Sequence, residues 1–506
     1  MKSRKINQVR AGALVSYITI FFNIVSGFIY TPWLINRLGQ SDYALYTLVN
    51  SVMTYFVLDF GMGAAITRFI TKYRVNNEPD KVNNLLGVTT KLYLTIDGII
   101  LAAMIVFYML IDKIYVNLSA TEIVRLENVF IIAGTVALLS FPLLPVNGIF
   151  TAYEKLYAQK VFDLLAKVFT ITSVVIALLA GGGLYFVVLF NTAITFLMNL
   201  IKFLYIRKSA GIKLNMKHKD KELKKSIFSF SAWVMVSSIA DRFFFTFIPS
   251  LLGIVSNSAQ IAVFGVAVSI ENYTCLFSSV FNNLFLPRVT SMVVKNKSKE
   301  KITDLMIKVG RIQLIIVSTI VTLIVSMGRE FITCWVGEEY VNAHIVLIIV
   351  LLPMLVHFCQ AIGSEMLYAT NNVKYRALVY VCGSIISVIT TLLLGGKFGA
   401  IGAAIGIGAG LLLSHVVLMN IIYHKKLGLN IPRYFKECQL KMLIPMLISG
   451  AVGFFIMKIY PVDNLIFFIV KAGIWVVIHA VILWFTFCNK YEKDLVLGFV
   501  KKIIKR

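Results

Sequence analysis

The chain has 506 residues, of which 58% are hydrophobic and only 14% charged, and its formal net charge is +25. A soluble chain of this length needs far more polar surface, so lipid must be its main solvent. The basic excess follows from topology and not from nucleic-acid binding, because Lys and Arg gather on one side of the predicted spans.

A membrane-crossing helix needs roughly 20 mainly apolar residues. In chain order such helices are predicted near 11–35, 43–67, 85–111, 127–150, 157–180, 184–206 and 227–252, then near 260–287, 310–327, 343–369, 375–394, 400–423, 441–459 and 464–488. The periods are helical or continuous, which excludes an outer-membrane barrel of alternating ten-residue strands. The expected fold is therefore all-α and integral to the membrane, with about fourteen spans. The apolar stretch after Arg10 is too long for a signal-peptide core and reads as the first span. Most Lys and Arg lie in the N-terminus, the 207–225 loop, the 288–311 segment and the C-terminal tail, so both termini are expected in the cytoplasm. Anionic lipid headgroups are the expected partners of that surface. Cys275, Cys359 and Cys382 fall in spans, Cys438 and Cys488 at the cytoplasmic face, and Cys334 outside, so no disulfide framework is implied.

The chain also repeats itself. Pro32 and Pro249 lie 217 positions apart near the outer ends of spans 1 and 7. FTAYEKLYAQKV (150–161) and LYATNNVKYRALV (367–379) each join two spans, with Ala152 and Ala369 again 217 apart. Tyr205 and Tyr423, near the ends of spans 6 and 12, are 218 apart. Six is even, so both copies share one orientation, as in transporters built from two parallel six-helix lobes. The expected organisation is an N-terminal lobe (1–208), a basic linker (209–226), a C-terminal lobe (227–426), and two further helices with a basic tail (427–506).

Several stretches resemble a known family. NRLGQSDYALYTLVNSV (36–52) followed by LDFGMGAAITRFITKY (58–73) is similar to the opening helices of polysaccharide-type lipid-linked oligosaccharide flippases. FTAYEKLYAQKV, LPRVTSMVVKNKSKEKITDLM (286–306) and GGKFGAIGAAIGIG (395–408) carry the same likeness. The resemblance is to the multidrug/oligosaccharidyl-lipid/polysaccharide flippase superfamily and covers spans 1–12. It implies transfer of an undecaprenyl-diphosphate-linked glycan unit from the inner to the outer leaflet of a bacterial cytoplasmic membrane by alternating access. A polysaccharide polymerase and glycosyltransferases are the partners it suggests.

Polar groups within spans are costly, at least about 2.5–3.5 kcal/mol at mid-membrane, and so mark candidate sites. The acids are Asp59, Asp97, Asp163, Asp241, Glu271 and Glu365, candidates for gating or for coupling to H⁺ or Na⁺. The cations expected to meet substrate are Arg242, Lys91 and Lys167, because Arg and Lys supply charge and donors to phosphate. Asp163 and Lys167, four apart on one helix face, can equally form an intrahelical ion pair. Asp241 and Arg242 are adjacent, point about 100° apart and need separate partners. Asp59 in LDFGMG can instead support a close helix contact, Lys91 can snorkel, and Lys202 near a span end is expected to do so. Lys471, His479, His357 and His415 read as helix-contact groups. Gly402, Gly406 and Gly410 at four-residue spacing favour close helix packing and not a dinucleotide site, since no strand precedes them. Asn117-Leu118-Ser119 fits a glycosylation sequon. No metal site, resident cofactor or enzyme motif is expected. Two other readings stay open, a cation-coupled drug antiporter of the same superfamily and a membrane-embedded glycan-processing enzyme. Outer segments of only about fifteen residues (112–126 and 328–342) leave an enzyme little room.

Overall fold

The computed structural model describes residues 2–504 apart from 59–60, 219, 280–284, 296, 371 and 460–463. Contacts divide the chain into two units, Met1–Ala262 and Val263–Arg506.

The first unit runs α1 (Lys2–Phe56), α2 (Met62–Val75), α3 (Pro79–Tyr108), α4 (Ile111–Ile114), α5 (Ala120–Ser140), α6 (Val146–Ala152), α7 (Leu156–Leu179), α8 (Leu184–Ala210), α9 (Lys221–Phe245) and α10 (Ile248–Val255). The first turns of α11 (Ser258–Ser279) also belong to it. The helix starts follow local rules. Pro79 opens α3, where its missing N–H is no loss. Ser119 and Glu122 form a reciprocal capping box at α5, and the Asp220 side chain accepts from Leu223 N–H at α9. Gly211, at φ 64°, ends α8 in the left-handed conformation that glycine adopts without penalty.

The second unit holds the rest of α11, then α12 (Leu286–Val294), α13 (Lys299–Val336), α14 (Ala343–Phe358), α15 (Ala361–Ala369) and α16 (Val373–Leu411). A π-helical turn (Leu412–Leu418), α17 (Met419–Lys425), α18 (Ile431–Tyr434) and a second π turn (Phe435–Gln439) follow. The chain closes with α19 (Leu440–Ile459), α20 (Leu465–Thr486) and α21 (Lys490–Ile504). No strand occurs among the described residues.

Among the described residues eleven helical stretches are long and apolar enough to cross a membrane, or twelve if the bent pair Ser238–Phe245 and Ile248–Val255 counts as one. The count of fourteen expected from sequence differs because two stretches, Ile18–Phe56 and Val373–Lys425, each cover two predicted spans. A glycine interrupts each of them. At Gly39 (φ 78°, ψ 169°) α1 breaks, and Leu34 before the break and Tyr46 after it pack into one apolar cluster with Val174, Leu178 and Val187. At Gly399 (φ 56°, ψ −131°) α16 turns back on itself. A Cβ on Gly406 would lie 2.6 Å from Thr391 Oγ1, and one on Gly383 would lie 2.8 Å from the Gly410 carbonyl oxygen. The two arms of α16 therefore run antiparallel in close contact, as the glycine spacing predicted.

The internal duplication appears as matched backbone geometry. α6 and α15 end at Ala152 and Ala369, and α7 and α16 begin at Leu156 and Val373, all 217 apart. In the first turn Tyr153 N–H donates to the Ile149 carbonyl (3.0 Å) and Lys155 N–H to Phe150 (3.0 Å). In the second, Thr370 N–H donates to Met366 (3.0 Å) and Asn372 N–H to Leu367 (2.8 Å), the same bonds displaced by 217. Within the first unit α2 packs on α6, and within the second α12 packs on α15. Tyr205 stacks on Phe150 of α6 at 6.0 Å, while the Tyr423 hydroxyl meets Ser364 Oγ of α15 at 3.2 Å. Ser41 and Ser258, also 217 apart, both hydrogen-bond the Glu122 carboxylate.

Residues 211–218 are docked on α3. Asn215 N–H donates to the Asn83 carbonyl (3.2 Å), and Asn83 Oδ1 accepts from Lys213 N–H (2.9 Å). Gly87 makes this possible, since a Cβ there would overlap the Asn215 carbonyl.

Candidate functional site

The clearest buried charge in the first unit sits where α6, α7 and α8 meet. Lys202 on α8 is only 4% exposed, and its Nζ donates to Asp163 Oδ1 at 2.6 Å and to Asn147 Oδ1 at 3.4 Å. Lys160 approaches the other carboxylate oxygen at 3.6 Å. Lys202 therefore does not snorkel. It is the partner that Asp163 finds on the next helix, in place of Lys167. A cation held by an anion and an amide oxygen escapes most of the penalty of standing alone at that depth. Lys167 is exposed on α7 and has no ion pair or hydrogen bond among the described residues.

Arg242 sits in the last turn of α9, at the 48° bend into α10. Its carbonyl accepts from Thr246 (3.0 Å) and Phe247 (3.1 Å), and its Nη1 donates to the Thr54 carbonyl of α1 at 3.2 Å. Ser51 Oγ donates to the Thr246 carbonyl, and Phe247 meets both Tyr55 and Phe243 edge-to-face there. The bend is thus tied to the end of α1, and the guanidinium is committed in part to that tie. Asp241 is exposed beside it and also has a partner.

Lys91 is half-buried on α3 and donates to the His218 carbonyl at 3.3 Å, which adds to the docking of residues 211–218. Asp97, two turns further along α3, has a buried Oδ1 without a hydrogen-bond partner among the described residues. Asp59 lies outside the described residues. The three cations expected to meet substrate thus differ: Lys91 donates to a linker carbonyl, Arg242 donates to a helix-end carbonyl among other partners, and Lys167 has no hydrogen bond or ion pair among the described residues.

In the second unit Glu271 and Glu365 are buried, at 5% and 6% exposure, and both have partners. The π turn carries His415, whose Nδ1 lies 2.7 Å from Ser414 Oγ. Its ring meets His357 edge-on at 4.4 Å and stacks on Tyr380 at 4.6 Å. Arg376 lies over Tyr380 at 4.9 Å and donates to the Tyr368 hydroxyl at 2.7 Å, while Gln360 donates to Asn420 at 2.7 Å. π turns recur at functional sites, and this one stands among buried polar side chains of its unit. His479 and Trp475 stack on α20 at 4.9 Å, and both reach Ser449 of α19, the helix contact expected for His479.

The largest ion pair was not foreseen from sequence. Arg311 on α13 donates through Nε to Glu492 Oε1 (2.5 Å) and through Nη2 to Oε2 (2.8 Å). It also donates to the carbonyls of Glu437 (2.8 Å) and Phe487 (2.6 Å), with its guanidinium 4.0 Å over the Phe487 ring. Both side chains are buried, although both come from stretches that read as exposed and basic. The faint signal was Glu492 itself, an acid three residues after Asn489 within a tail of cations. Among the described residues no group of three His, Cys, Asp or Glu is placed to hold a metal ion.

The helices, their glycine breaks and their buried charges define a multi-pass α-helical membrane protein. A profile of the family described as polysaccharide biosynthesis protein matches residues 9–292, more than half of the chain, and the chain belongs to that family. In Haloferax volcanii, the probable low-salt glycan biosynthesis flippase Agl15 is 23% identical over 228 residues, which is 44% of this chain and 48% of the relative. The chain thus spans about half the length of that curated relative. Among solved structures, the lipid II flippase MurJ in an inward closed conformation matches with a TM-score of 0.72 at 14% identity, over 96% of this chain and 100% of that one. An inward-facing multidrug resistance MATE family transporter of the MOP superfamily matches at 0.62 and 14%, over 82% and 98%. At such identities the likeness is one of fold.

Proposed function

We propose that this protein carries an undecaprenyl-diphosphate-linked oligosaccharide unit from the inner to the outer leaflet of a bacterial cytoplasmic membrane, for cell-surface polysaccharide, by alternating access and without altering the glycan. The observation that carries this reading is the family match across residues 9–292. The flippase names of Agl15 and MurJ support it. In this reading both termini are cytoplasmic, where basic segments collect. Glycosyltransferases would then deliver the substrate and a polymerase would receive it.

Arg242, Lys91 and Lys167 are the cations proposed to meet the diphosphate, Arg242 foremost because a guanidinium grips phosphate with paired donors. Its place at a helix bend would let the Thr54 contact be exchanged for substrate as the bend moves. Asp59, Asp97, Asp163, Asp241, Glu271 and Glu365 are the acids proposed for gating or for coupling to H⁺ or Na⁺. The test is binding of lipid-linked oligosaccharide to purified wild type, Arg242→Lys and Arg242→Ala. Progressive weakening in that order, with lipid-linked units accumulating on the inner leaflet of cells, is expected. Unchanged affinity in Arg242→Ala would remove Arg242 from the substrate site.

A second reading, a cation-coupled drug antiporter, is favoured by the buried Glu271 and Glu365 and by the likeness to a MATE transporter. Proteoliposomes separate the two readings: the flippase moves lipid-linked glycan and ignores a fluorescent organic cation, whereas the antiporter does the reverse.

A further inference from the structure

We infer that the end of α8 holds an anionic phospholipid with two phosphates, its headgroup seated in a groove of three cations. The groove has a volume of about 470 Å³ and is lined by Leu204, Arg207, Lys208, Gly211, Ile212 and Lys213. Its shape is built into the backbone. Gly211 turns the chain through a left-handed residue, and Ile212 N–H closes back on the Arg207 carbonyl at 3.0 Å. Ile212 is buried, and Lys213 N–H is fixed to Asn83 Oδ1 at 2.9 Å, so Lys213 is held across from Arg207 and Lys208.

Two observations point to a lipid ligand. Among the described residues the side chains of Arg207, Lys208 and Lys213 have no ion pair or hydrogen bond, although each is exposed on the same small depression. Three like charges held together repel one another, and a phosphate ester relieves that repulsion while accepting their donors. The second observation is apolar. Leu197, Ile201 and Leu204 are 51%, 45% and 53% exposed and, at spacings of four and three, form one stripe of α8 leading to Lys208. Along the helix that stripe covers about 10 Å, the length of a partial acyl chain. Exposed apolar residues on a membrane helix face lipid tails, so one molecule can lie with its tail on the stripe and its headgroup in the groove. Basic pockets at the cytoplasmic ends of membrane helices suit headgroups with two phosphates, and three cations match that charge better than a single phosphate. The inference rests on the proposed cytoplasmic placement of this end and is independent of what the protein transports.

The test is native mass spectrometry of the purified full-length protein titrated with cardiolipin, phosphatidylglycerol or phosphatidylcholine. Wild type should retain one cardiolipin in preference to phosphatidylglycerol and should not retain phosphatidylcholine. R207Q/K208Q/K213Q should bind cardiolipin at least about tenfold more weakly, given about 1 kcal/mol for each cation near the headgroups. K221Q/K224Q/K225Q, which removes the same charge from exposed positions on α9, should bind like wild type. Equal losses in both triple variants would mean diffuse attraction to the membrane surface, and equal retention in the groove variant would mean that the lipid binds elsewhere. Either result overturns the inference, as would displacement of cardiolipin by the lipid-linked diphosphate at matching affinity, which would assign the groove to the transported lipid. Lys213→Ala alone, at an exposed side chain, gives a graded check that leaves the fold intact.

Discussion

Lys202 reaches Asp163 at 2.6 Å from the neighbouring helix, although Lys167 stands four residues from that acid on its own. The acid is about a third exposed and the lysine is not, so the two partners do not bear the loss equally. Asp163→Ala strands a buried cation and should cost about 2 kcal/mol after allowance for the exposed carboxylate, while Lys202→Met should cost less. Asp163→Ala combined with Lys202→Met should recover most of the loss, and Lys167→Met should be neutral. Thermal unfolding of the detergent-solubilised variants measures all four, and additive losses in the double variant would refute the pairing.

Glu492 anchors α21 through Arg311 with two donors to its carboxylate, both groups buried. Breaking such a pair leaves a guanidinium uncompensated and costs about 3–5 kcal/mol. Glu492→Ala should therefore destabilise the protein about as much as deletion of residues 490–506. If the deletion were severe and Glu492→Ala mild, the tail would be held by its apolar contacts instead.

The hairpin of α16 depends on the absence of a side chain at Gly406, where a Cβ would stand 2.6 Å from Thr391 Oγ1 and 2.8 Å from the Ser387 carbonyl. Gly406→Val should lower the yield of folded protein sharply, since backbone on both sides of the contact must move. Gly473, which has open space around it, serves as the control, and Gly473→Ala should be tolerated.

Thiol labelling tests both orientation and burial. Cys334, half-buried at the end of α13, should react from outside intact cells. Cys438 is buried, so permeabilisation alone should leave it unreactive, contrary to what its position near a basic loop suggests. Cys488 should react only after permeabilisation and slowly at neutral pH. Burial, with the Glu492 charge second, raises its thiol above the usual range. The thiolate is the reactive form, so its rate should still be climbing at a pH where an exposed cysteine has levelled off. Outward labelling of Cys488 would reverse the orientation.

The helices and the repeat were legible in the sequence because both are local or periodic signals. A 20-residue apolar run shows itself without a partner, and the Ala152–Ala369 spacing marks the same turn that the hydrogen bonds later display. Pairings between helices were not legible. Lys167 stood in the only window that an i, i+4 rule can see, while Lys202 lies 39 positions from Asp163 and Glu492 lies 181 from Arg311. The count of spans was obscured for a different reason. Gly39 and Gly399 bend helical stretches that hydropathy divides into four segments, and a left-handed glycine carries no signature beyond being glycine.

The π turn at Leu412–Leu418 bears on how the two copies drifted apart in length. Their offset is 217 at the start of α7 and α16 and 218 at Tyr205 and Tyr423, so the second copy is one residue longer within an interval that contains this turn. An extra residue in an unbroken α-helix rotates everything after it by about 100°. A turn closed by i→i+5 bonds takes up one residue and leaves the following face in register. Tyr423 still lies against its short helix α15, as Tyr205 lies against α6. The widened turn then accommodates the extra residue, and deleting one residue there should yield an ordinary helix with Tyr423 in the same place.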